Sequence, residues 1–284
     1  MEYKFIAIPD CLLSIGTCFV LSAIFVSSLY VWNSHHDRDH ASTIKKRFLS
    51  VFIVMLISPA FVYFAINKET LEKRTLWHIL GLRTDGLLQA LLLPLFLTMV
   101  LFTGPIYMQR YNGSLKMYAD PNYWTTNVKN LIWLRNHVVA PLAEEFTYRS
   151  CMLPILLQCF SPMTAVFVCP LFFGAGHFHH VIEKMKKGMK FKHAMLVSCF
   201  HCFYTTIFGI YSAYLLLRTG HFASAFIVHA FCNHMGFPEF HELVNYEKKQ
   251  KILACTVFVV GFVLWCLFLN PLTEPTLFHH DLYL

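Results

Sequence analysis

Charge is what this sequence has least of. Only 14% of its 284 residues are charged, while 56% are hydrophobic, and that balance excludes an ordinary soluble domain. Several catalytic signatures are also missing. The only His-Glu pair, in "HELVN" from His241, has no second histidine at the right spacing, which excludes the common zinc-protease helix. No G-x-S-x-G nucleophile elbow and no phosphate-binding P-loop occur. Repeats, low-complexity tracts and linkers of domain length are absent too, so residues 1–284 read as one domain.

What remains is a polytopic membrane protein, an all-α transmembrane bundle. Apolar runs long enough to cross a bilayer, about 20 residues each, lie at 11–32, 48–66, 86–107, 131–159, 161–180, 194–217, 219–237 and 252–270. These predict about eight spans. The first follows "MEYKFIAIPD", which lacks a basic start and a small-residue cleavage site, so it is expected to be retained as a span. All ten cysteines fall inside the apolar runs, where they read as small packing residues without a disulfide framework. Cys199 and Cys202 form the only C-x-x-C, with no second pair to complete a zinc site.

The net charge of +7 is explained by basic loops between spans and does not call for nucleic acid. Loops sharing one side carry fifteen lysines and arginines, including Arg38, Arg47, Arg110 and Lys184, against six on the other side, among them Lys4, Lys68 and Arg218. The positive-inside rule makes the richer side cytosolic. Both termini then face the lumen or exterior, and the sequon "NGS" at 112–114 stays in the cytosol without glycan.

Against that background "AEEFTYRSC" (143–151) is anomalous. A charged side chain at mid-helix costs about 2.5–3.5 kcal/mol on insertion scales, so it marks function or needs a partner. Glu145 and Arg149 are four apart and can pair on one helical face, which makes a structural ion pair the plainer reading. Glu144 points about 100° away and keeps no such partner. Further on, "FGAGHFHH" brings His177 deeper than His179 and His180, which read as interfacial. Its small residues invite close helix packing. "HAFCN" sets His229 and Asn233 four apart on one face. Each alone is commonly helix glue. The topology, however, delivers a carboxylate, two imidazoles and an amide to the cytosolic half of the membrane, the set that hydrolysis of an acyl bond requires.

"EEFTYR", "FGAGH" and "HAFCN", in that order on successive helices, resemble the three motifs of the type II CAAX prenyl endopeptidases, a family of glutamate-dependent intramembrane proteases. The longer strings "CPLFFGAGHFHH", "RTGH" and "HAFCNHMGFP" resemble its eukaryotic members, and the resemblance covers about 137–240. It implies a multi-pass enzyme of the endoplasmic reticulum membrane, open to the cytosol, that removes the last three residues from prenylated C-x-x-x proteins, Ras-type small GTPases among them. It also implies roles. Glu144 activates the attacking water with help from His177, His229 and Asn233 stabilise the oxyanion, and Glu145 and Arg149 support them. No cofactor is expected; a zinc ion on Glu144, His177 and His229 is the alternative. The rival classes are a proton-coupled transporter, because Glu/His chains also relay protons, and a silent membrane scaffold. The transporter predicts inverted repeats, and no second "EE" segment is found.

Overall fold

The computed structural model describes residues 8–32 and 36–280; Lys4, counted above among the loop charges, lies outside them. Among the described residues every regular element is helical. The principal helices are α1 (Ile8–Ser28), α2 (Ala41–Ala65), α3 (Leu87–Leu101), α4 (Thr103–Tyr111), α5 (131–156), α6 (Pro162–Gly176), α7 (Phe191–Thr219), α8 (Phe222–Met235) and α9 (Lys248–Leu272). Their ends follow from local chemistry. Asn130 Oδ1 caps α5 by accepting from the amides of Ile132 and Trp133. Ser161 caps α6 ahead of Pro162. Gly220 (φ +62°) closes α7 in the left-handed conformation.

Among the described residues, five helices are long and apolar enough to span a membrane: Cys11–Ser28, Ala41–Ala65, Pro162–Lys186, Phe191–Thr219 and Lys248–Leu272. The count reaches six if α3 and α4, bent by 66°, form one span. The expected eight are therefore not matched span for span. The two apolar runs that fall short are the instructive ones. At 14 residues, α8 is about 21 Å long, short of a hydrocarbon core of about 30 Å. Helix α5 is interrupted by two π-helical stretches, Arg135–Val139 and Glu145–Cys151. Both runs carry the polar motifs, and both sit inside the bundle. Large side chains such as Phe19, Phe52, Leu56, Phe96, Phe167 and Phe203 are exposed on the outer helices, a surface suited to lipid.

The core packs α1, α2, α5, α6 and α7 together through residues that include Leu21, Val54, Met152, Cys169 and Leu216. The small residues of "FGAG" serve as the sequence suggests. A Cβ on Gly174 would collide with Thr206 Oγ1, so α6 and α7 touch at backbone distance there. One expectation is corrected. Cys11 and Cys159 form a disulfide, with Cα atoms 5.0 Å apart and 148 residues between them in sequence. Both had been counted within apolar runs. They lie instead at helix ends, near the start of α1 and just past the end of α5, where an oxidant can reach. The other eight cysteines are free.

Candidate active site

Each π stretch in α5 precedes a proline by two or three residues: Pro141 follows Val139, and Pro154 follows Cys151. Proline has no N–H to give and crowds the preceding turn, which widens the helix. In the first stretch the Ala140 N–H reaches back five residues to the Arg135 carbonyl. The same pattern would bond the Asn136 carbonyl to residue 141, a proline with nothing to donate. That carbonyl instead accepts from Asn233 Nδ2 at 2.8 Å. The irregular backbone of α5 thus anchors a side chain of α8.

The second stretch starts at Glu145, so the two adjacent glutamates straddle an α-to-π junction and receive different surroundings. Glu145 is fully buried and holds three partners. His229 Nδ1 lies 2.6 Å from Oε1, Ser212 Oγ donates to Oε2 at 2.5 Å, and Arg149 Nη1 is 3.2 Å from Oε1. A carboxylate only accepts, so Nδ1 of His229 is the donor. Arg149, also fully buried, lies over the Phe173 ring at 4.1 Å from its centroid. Gly209 leaves room for it, since a Cβ there would come within 2.7 Å of Arg149 Nη2. The ion pair read from the sequence is therefore present, but it is one arm of a larger cluster that also grips His229.

Glu144 is 21% exposed and faces a cavity of about 880 Å³. His229 Nε2, the ring atom not committed to Glu145, is 3.7 Å from Glu144 Oε2. His177, His229 and Asn233 line the same cavity. The His177 Nδ1–H donates to the Phe173 carbonyl at 2.7 Å, so its Nε2 is the free atom. The Phe173 ring stands between the two imidazoles, edge-on to both. The four residues singled out from the sequence thus share one chamber, with Glu145 and Arg149 packed behind its wall. Much of the chamber's lining is apolar and aromatic, including Leu101, Phe102, Phe208, Phe262 and Trp265. A hydrocarbon chain gains about 0.8 kcal/mol per methylene buried in such surroundings.

The sequence reading missed several residues here. Ser212 sits unremarked in a long apolar helix, and the Asn136 carbonyl is a backbone group. His201 stacks on His180 and packs near His177, which makes His180 part of a half-buried imidazole group, not a lone interfacial residue. As for metals, the trio considered from the sequence was Glu144, His177 and His229. Among the described residues, the three donor groups that converge within 4.8 Å are His179, His180 and Glu183. Glu183 is already bonded to Arg38 and Arg47 as well as His180, so a cation there would have to displace two guanidinium groups.

A family model described as type II CAAX prenyl endopeptidase Rce1-like matches residues 126–235, the stretch holding all three motifs. Over 276 residues the chain is 40% identical to a human protein named CAAX prenyl protease 2, covering 94% of this chain and 83% of the human one. Its identity to the rat protein of that name is 38%, with 94% and 82% covered. The Arabidopsis thaliana protein is 31% identical, with 94% and 91% covered. No solved structure matches the chain. The motifs, the chamber that collects them and the near full-length likeness agree: this chain belongs to the type II CAAX prenyl endopeptidase family.

Proposed function

We propose that this protein is an intramembrane peptidase of the endoplasmic reticulum that removes the last three residues from prenylated C-x-x-x proteins through an active site open to the cytosol. The observation that carries the reading is the split between the two glutamates: Glu145 is saturated with partners, while Glu144 faces the cavity with His229 Nε2 3.7 Å away. A base that must take a proton from water has to be reachable and not already neutralised. Of the two, Glu144 meets that condition.

In this reading Glu144 takes one proton from a water molecule held between it and His177 Nε2, and the hydroxide attacks the scissile carbonyl carbon. The carbonyl oxygen, now negative, is met by an N–H of Asn233 and by His229 Nε2. The Glu145 carboxylate on Nδ1 holds the ring so that Nε2 faces that oxygen. Glu144 then returns its proton to the departing amide nitrogen. The C–N bond breaks, water's hydroxyl stays on the acyl carbon, and its hydrogen leaves on the tripeptide. The second amide hydrogen of Asn233 is available because the first is spent on the Asn136 carbonyl, which fixes the side chain.

Two features support the orientation. Arg135, at the start of α5, pairs with Asp39 in the loop before α2, so both belong to one end of the bundle. Cys11 and Cys159 tie the opposite ends of α1 and α5. Disulfides persist in the lumen and not in the cytosol, which leaves the Arg135 end for the cytosol, in agreement with the basic loops. The test is cleavage of a farnesylated C-x-x-x peptide by purified protein in detergent, beside its unprenylated counterpart. The unprenylated peptide is expected to show kcat/KM lower by about 100-fold or more, because it loses the burial that positions the bond. No cleavage overturns the peptidase reading, and equal cleavage overturns its prenyl part.

A further inference from the structure

We infer that Arg38, Arg47 and Arg135 form a receptor for the C-terminal carboxylate of the substrate, the group three residues beyond the scissile bond. The inference rests on the peptidase reading above and deepens it. All three arginines line the chamber that Glu144 faces. They come from separate parts of the chain, the loop before α2, the first turns of α2 and the start of α5, yet they are wired together. Arg135 Nη1 donates to the Arg38 carbonyl at 3.3 Å and pairs with Asp39 Oδ1 at 2.8 Å. Arg38 and Arg47 share the two oxygens of Glu183, at 3.0 and 3.3 Å.

The charges do not balance. Three guanidinium groups meet two carboxylates, Asp39 and Glu183, leaving one formal positive charge at the mouth of the chamber. Asp39 is firmly ionised, because its hydrogen bond from Arg135 holds the carboxyl below the usual range. One donor is also left over. Arg47, only 17% exposed, has its Nε buried and without a hydrogen-bond partner. Surplus positive charge in a cavity wall suits an anion, and guanidinium groups bind carboxylates in a fixed planar geometry.

The spacing suits this particular anion. Arg135 and Glu144 lie nine positions apart on α5, which is at most about 13 Å along the helix at the α-helical 1.5 Å per residue, and less over the wider-wound Arg135–Val139 stretch. An extended tripeptide spans about 10–11 Å. An extended tripeptide running from a scissile bond at Glu144 toward Arg135 therefore reaches the arginines with its terminal carboxylate. This would make the protein an end-reader, measuring three residues from a terminal carboxylate.

The experiment measures binding apart from cleavage. A fluorescent farnesylated C-x-x-x peptide with a free C-terminal carboxylate, and the same peptide with a C-terminal carboxamide, are titrated by anisotropy against purified Glu144→Gln protein. The acid is expected to bind about tenfold to a hundredfold tighter than the amide, the range for hydrogen bonds to a charged group. Adding Arg47→Gln or Arg135→Gln should bring the acid-to-amide ratio toward one, and Arg47→Lys should retain part of it because the charge remains. Both peptides meet the same preparation, so a partly unfolded variant changes both signals and leaves the ratio intact. Equal affinities in the Glu144→Gln background, or a ratio that neither glutamine variant lowers, would overturn the inference. Acid preference in binding, with no cleavage by the unsubstituted protein, would refute the peptidase reading and leave the carboxylate receptor standing.

Discussion

Replacing Glu145 with glutamine removes one charge and keeps the side chain's shape, and its consequence can be worked out from the partners. A glutamine has one acceptor oxygen, where the carboxylate has two serving His229, Ser212 and Arg149. At least one partner is lost, and the guanidinium is the most exposed to loss. All three nitrogens of Arg149 lack other hydrogen-bond partners, and the side chain is fully buried. Stranding a buried charge costs about 3–5 kcal/mol. At about 2.1 cal/mol/K per residue, a chain of 284 residues has an unfolding entropy near 0.6 kcal/mol/K, so the midpoint should fall by roughly 5–8 °C. Glu144→Gln is the comparison. Its carboxylate is partly exposed and has only the 3.7 Å approach to His229, so the midpoint should move by less than about 2 °C while turnover drops by about 10²–10⁴. Thermal melts in detergent and farnesyl-peptide cleavage, run on one preparation of each variant, separate the two. The neutral pair Glu145→Gln/Arg149→Met should regain part of the lost stability, because no charge is stranded. A Glu145→Gln protein that melts like the unsubstituted one would refute the reasoning, and so would a Glu144→Gln protein that cleaves at the full rate.

Other expectations are simpler to check. Asn112 should carry no glycan when the protein is made in microsomes; its amide already bonds Glu242 and Tyr246, and a glycosylated Asn112 would invert the orientation. Counting thiols with a maleimide-polyethylene glycol reagent on denatured protein should give eight before reduction and ten after, as the free cysteines and the Cys11–Cys159 bridge require; ten from the start would remove the bridge. Chelators should leave peptide cleavage intact, and activity lost to chelation and restored by zinc would replace the glutamate-activated water with a metal-bound one.

Much of the candidate site was legible because charge stands out in an apolar run. Glu144, Glu145 and Arg149 declared themselves by what surrounds them, and helical spacing put His229 and Asn233 on one face. What stayed hidden has physical causes. A carbonyl such as that of Asn136 has no letter of its own, and its availability depends on a proline five residues on. Ser212 is ordinary in a membrane helix until a carboxylate approaches it. The arginines of the mouth come from a loop and two helix starts, where basic residues are expected anyway, so their convergence could not be separated from the general charge bias. Hydropathy marked the helices but could not tell a spanning one from α8, which is apolar because the bundle encloses it. The disulfide was missed because an apolar window blurs a helix end into its middle.

The two widened turns of α5 also bear on which changes this protein can tolerate. A substitution there alters one side chain and leaves the winding alone. Loss of a single residue between 145 and 151 would let the turn close to the ordinary helix with Met152, Leu153 and Ile155 still in the core they now fill, so the damage would fall on the spacing of Glu145 and Arg149 within the turn. The segment is therefore fixed in length more strictly than in composition: across relatives, insertions and deletions should be confined to the loops, and the count of residues from Asn130 to Pro154 should hold even where their identities drift.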